Sequence, residues 1–101
     1  MVERRPQKRD LDPPPLAATR QDAVEVLRVW AVPDGRQQLT LRVNWDDPGA
    51  WGLLLVDLAR HAAEAYARQG VDRARALARI KELIDAEWSA PTTQAEDITD
   101  G

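Results

Sequence analysis

The stretch Trp45-Asp46-Asp47-Pro48-Gly49-Ala50-Trp51-Gly52 constrains the fold more than any other, because an alternating apolar pattern stops there and a helical one begins. Upstream, Gln38 to Trp45 places Leu39, Leu41, Val43 and Trp45 on one face and Thr40, Arg42 and Asn44 on the other, the period of a half-buried strand. Downstream, Trp51, Leu54, Leu55, Leu58, Ala62, Ala65 and Tyr66 follow helical spacing. The stretch is therefore a corner. Asp46 or Asp47 can accept hydrogen bonds from the free N–H groups of the coming turn, and Pro48 at the first helical position loses nothing by lacking an N–H. Gly49 and Gly52 weaken the first turn, and they fit positions where a side chain would obstruct close packing on a sheet.

Before the corner, Ala23 to Val32 is dense in β-branched residues and reads as a strand with two largely apolar faces. Pro33-Asp34-Gly35 then supplies a turn. Two strands joined by so short a connection form an antiparallel hairpin, which is marginal in water and must lean on something. The helix from the corner runs to about Gln69, where Gly70 ends it. A second helix, capped by Asp72, carries Leu77, Ile80, Leu83, Ile84 and Trp88 as its apolar stripe and stops before Pro91. The expectation is an α+β fold of order ββαα, a β-hairpin followed by an antiparallel helix pair packed on one face of the hairpin sheet. Residues 23–91 form that single domain. Residues 1–22, with Pro6, Pro13, Pro14 and Pro15 and the basic cluster Arg4, Arg5, Lys8 and Arg9, are expected to be a flexible arm, and residues 92–101 a disordered acidic tail.

With both ends set aside, about 66 residues remain to fold, a size at which stability is thin without a partner. Leu53, Leu54, Leu55 and Val56 cover the whole circumference of the first helix, so in a small two-layer monomer one side would face water. Together with Trp51 they are the expected interface, most economically with a second copy of the chain. A homodimer is the expected partner state.

Catalytic signals are sparse. His61, the single histidine, has Asp57 one turn before it and Glu64 three residues after, an arrangement common on solvated helix faces, and nothing near it supplies a nucleophile. Cysteine is absent, and one histidine with carboxylates is a poor zinc set. Asn44, Asp46 and Asp47 could face a cation, but helix capping explains the same residues. No catalytic, metal or cofactor-binding residue is assigned, and no cofactor is expected. A small-ligand-binding or enzymatic alternative would use a tryptophan-lined pocket of Trp45, Trp51, Asp57, Arg60 and His61. A third alternative is weak nucleic-acid binding through the arginine-rich arm and Arg73, Arg75, Arg79 and Lys81 of the second helix. A net charge of −3 disfavours it. The charged start without a following apolar run, and the lack of any stretch long enough to span a bilayer, lead to the expectation of a cytoplasmic protein.

The segments Val26-Leu27-Arg28-Val29-Trp30-Ala31, Trp45 to Gly52, Val56-Asp57-Leu58-Ala59-Arg60-His61 and Glu87-Trp88-Ser89-Ala90-Pro91 together resemble a family of short bacterial proteins catalogued only as a domain of unknown function. The resemblance spans about residues 23–91. It implies a compact α+β domain in a bacterial cytoplasm and carries no activity with it. The leading expectation is a non-enzymatic, self-associating module for protein–protein interaction or regulation.

Overall fold

A computed structural model of the chain describes residues 8–92, 95–97 and 99. The element order is α1 (Leu16–Thr19), β1 (Leu27–Ala31), β2 (Gln37–Leu41), α2 (Gly49–Arg68), α3 (Arg73–Ser89) and β3 (Glu96–Asp97). The hairpin followed by two helices is the expected α+β arrangement.

β1 and β2 are antiparallel, with Leu27 opposite Leu41 and Val29 opposite Leu39, so their apolar rows share one sheet face. Arg28 and Trp30 lie opposite Thr40 and Gln38 on the other. The hairpin turn follows from its residues. Gly35 N–H donates to the Val32 carbonyl at 3.0 Å, with Pro33 at the position that wants its fixed φ, and Gly35 itself sits at φ 97°, where only glycine is at ease. The Asp34 carboxylate accepts from the Arg36 backbone N–H at 3.0 Å and tightens the same turn.

One expectation about the end of an element needs correction. β2 stops at Leu41 instead of running to Trp45, because the chain turns out of the sheet: Val43 is left 78% exposed, while Trp45 swings onto α2. Residues 8–22 meet β1 through residues 9–14, which line a pocket with residues 27–30, and the Arg9 guanidinium lies 5.7 Å from the centroid of the Trp30 ring. Residues 8–22 also include the turn α1, which starts straight after Pro13-Pro14-Pro15, where missing N–H groups cost a helix nothing. Within the acidic tail, β3 pairs parallel to β2 with Glu96 beside Gln38. Gln38 Nε2 donates to Glu96 Oε2 at 2.9 Å, and the Leu41 N–H donates to Thr99 Oγ1 at 2.9 Å. Arg4 and Arg5 of the basic cluster lie outside the described residues.

α2 closes with a Schellman motif: Val71 N–H donates to the Tyr66 carbonyl and Gly70 N–H to that of Ala67, both at 3.1 Å, with Gly70 at φ 93°. Asp72 then caps α3, its carboxylate accepting from the Arg75 N–H at 3.0 Å. The two helices are antiparallel neighbours, joined further by an ion pair between Arg73 and Glu64. At the far end of α3, the Glu87 carboxylate accepts from the Thr92 backbone N–H at 2.7 Å, just past Pro91.

The largest departure from expectation concerns how the two halves meet. The helices do not pack on the hairpin: β1 adjoins β2, β2 adjoins β3 and α2 adjoins α3, and among the described residues no helix Cα comes within 8 Å of a strand Cα. The reason lies at the corner. Trp45 docks edge-on against Trp51, ring centroids 5.5 Å apart at 80°, and Asp47 Oδ1 accepts from the Gly49 N–H at 2.8 Å. The linker 42–48 is thus fixed to the first turn of α2 and carries the hairpin past the helix pair.

Candidate interaction surface on the helix pair

Burial along the helices is confined to small residues. Ala63 of α2 is 0% exposed and Ala76 of α3 9%, and they form the buried core of the described chain. Around them Ala59, Ala62, Ala67, Leu77 and Ile80 are half-buried. Alanines at intervals of four bring the helix backbones close together, and the large side chains are left outside the seam.

Those large side chains gather at the open end of the helix pair. Leu55, Val56 and Ala59 of α2 face Leu77, Ile84 and Trp88 of α3 across an apolar groove of about 470 Å³. Arg60, Lys81 and Asp85 stand at its rim. Leu55 and Val56 are about half exposed, and the Trp88 indole is 82% exposed at the groove's mouth. Gly52 also lines the groove, and a Cβ there would meet open space, so it does not make way for the chain's own sheet as its position in the sequence suggests.

The expected interface residues are spread around α2. Leu55 and Val56 line the groove, Leu53 points elsewhere at 74% exposure, and Leu54 and Trp51 are half-buried. The five residues of the ligand-pocket alternative do not converge. Trp45 and Trp51 meet edge to face, but ten residues of helix separate Trp51 from His61, a rise of about 15 Å. His61 is exposed and its Nδ1–H donates to the Asp57 carbonyl oxygen at 2.8 Å, so the partner is the backbone and not the Asp57 carboxylate. Arg60 belongs to the groove rim instead. Among the described residues no group of three or more His, Asp or Glu is placed to hold a metal ion, and Asp47 is engaged in starting the helix.

The second helix's cations are largely matched along their own surface. Arg79 Nη1 donates to Glu82 Oε1 at 2.9 Å and Lys81 Nζ to Asp85 Oδ2 at 2.8 Å, while Arg73 meets Glu64. Exposed pairs of this kind contribute little to stability, but they do reduce the field that α3 presents to a phosphate backbone. Within the described residues no helix is long and apolar enough to cross a membrane.

The tryptophan clamp carries a prediction. An edge-to-face aromatic pair is worth roughly 0.5–1.5 kcal/mol beyond area burial. A double-mutant cycle of Trp45→Ala and Trp51→Ala in urea should recover a coupling energy in that range, and additive losses would show that the two rings do not hold the corner together.

No curated protein matches the chain. Among solved structures it is similar to one described as "Structure of a putative pyruvate dehydrogenase from the photosynthetic bacterium Rhodopseudomonas palustrus", with 44% identity, a TM-score of 0.67, and coverage of 89% of this chain and 91% of that one. Residues 10–92 match the family described as Domain of unknown function (DUF5076), and the chain belongs to that family.

Proposed function

We propose that the chain is a non-enzymatic, self-associating interaction domain, a homodimer of the bacterial cytoplasm whose working surface is the helix pair. One observation carries this reading. Leu55, Val56, Ile84 and Trp88, each about half exposed or more, gather at one groove between α2 and α3. Contiguous apolar side chains of that size mark a surface meant to be covered. Sedimentation equilibrium at micromolar concentration is expected to return twice the chain mass; a stable monomer overturns the reading.

The description of the solved relative suggests a second reading, turnover of pyruvate. The geometry lends it little support, since His61 is exposed on α2 and far from the paired tryptophans. Pyruvate consumption by the purified protein is expected to stay at the buffer rate, and measurable turnover would replace the first reading.

A further inference from the structure

Each chain has two one-sided apolar surfaces. One is the sheet face bearing Leu27, Val29, Leu39 and Leu41, where Val29 is half exposed and the other three are half-buried, with residues 9–14 beside Leu27 and Val29, and the other is the groove between α2 and α3. A sheet with one apolar face and a helix pair with one apolar groove ordinarily bury each other as two layers. Within this chain they do not meet: among the described residues no helix Cα is within 8 Å of a strand Cα.

Closure of the hairpin onto its own helices is opposed by the corner. Trp51 lies about 90° around α2 from the centre of the groove, taking 100° per residue. With Trp45 edge to face against Trp51 and Asp47 bonded to Gly49, the linker 42–48 leaves the helix beside the groove and not across it. Bringing the sheet face over the groove in the same chain would cost both contacts. Bringing in the sheet face of another chain costs neither.

We infer that two copies exchange partners, the apolar sheet face of each hairpin covering the α2–α3 groove of the other. The inference rests on the self-association proposed above and names the surfaces that meet. A two-fold axis repeats the contact, so each copy both gives a hairpin and receives one. Two reciprocal contacts of standard size would bury roughly 3,200 Å² in all, about 1,600 Å² from each chain, within the range of obligate homodimers. Trp88, exposed at the groove mouth, is the residue type that most often anchors such a contact.

Because the chain has no cysteine, the test has a clean background. Val29→Cys and Val56→Cys are combined in one chain, both at half-exposed surface positions. Circular dichroism and sedimentation establish that this variant keeps its fold and mass, and Leu39→Cys with Ile84→Cys serves if it does not. Equal amounts of isotopically light and heavy protein are mixed, allowed to exchange, treated with a short bis-maleimide, and the linked peptides read by mass spectrometry. The expected result is a link between the two substituted positions carrying one light and one heavy peptide in about half of the molecules. Links only within one label mean that the hairpin closes on its own helices and overturn the inference. Links only between two Val56→Cys sites mean groove against groove and overturn it equally. A dimer by sedimentation without any link removes the exchange and leaves self-association standing, whereas a monomer removes both.

Discussion

Val56→Asp and Ile84→Asp are each expected to turn the self-associated chain into a monomer, while Leu53→Asp leaves it associated. Val56 and Ile84 are 51% and 46% exposed in the single chain, so a carboxylate at either position stays hydrated and costs the fold of one copy little beyond helix propensity. Once the groove is covered, the same carboxylate has to give up most of its water, with Arg60 and Lys81 held at the groove's rim. A penalty of about 3 kcal/mol for that step weakens association more than a hundredfold. Leu53 does not line the groove, and its replacement by aspartate is expected to change the dissociation constant by less than about threefold, a surface-substitution effect. Sedimentation velocity across a dilution series gives the constants, and circular dichroism checks that each variant retains its helices. If Val56→Asp associates as tightly as the parent, the groove is not where copies meet.

Much of the secondary structure was legible from local chemistry. Gly35 and Gly70 stand at positive φ where the turn and the helix end need them, and Asp72 caps the helix that follows it. Such features depend on a few neighbouring residues, and the sequence holds those residues side by side. The association of elements was less legible. Alternation through Val43 to Trp45 reads as strand, but the indole gains more from the edge of Trp51 than from an open sheet, so β2 ends four residues early. The same contact separates the hairpin from the helices, an outcome no periodicity encodes because it depends on where one ring docks. β3 was hidden for a related reason: Glu96 and Asp97 have no strand propensity, and they pair with β2 through backbone and the Gln38 amide. Of the candidate site, the apolar girdle could be read from four consecutive residues, while the groove itself could not. Only half of the girdle lines it, and the facing wall of Leu77, Ile84 and Trp88 lies on another helix.

The seam between the helices shows the same limit and leads to the second large effect. Helical spacing from Trp51 draws Ala62 and Ala65 into the apolar stripe, yet Ala65 is exposed and Ala63 is the residue wholly shut off from solvent. The stripe drawn from Trp51 shares only Leu55 with the groove, whereas the helices close on their smallest side chains. Ala63→Leu is therefore expected to destabilise the chain by about 2 kcal/mol, since three added carbons have no space where Ala63 meets the opposing helix. Leucine nearly equals alanine in helix propensity, so the loss reports on packing alone. For a domain of this length the midpoint of thermal unfolding should fall by roughly 8–16 °C. Ala65→Leu, two residues away and exposed, is the control and should move it by no more than a degree or two. If Ala63→Leu unfolds with Ala65→Leu, α2 and α3 do not close at Ala63, and the groove that their closure shapes loses its floor.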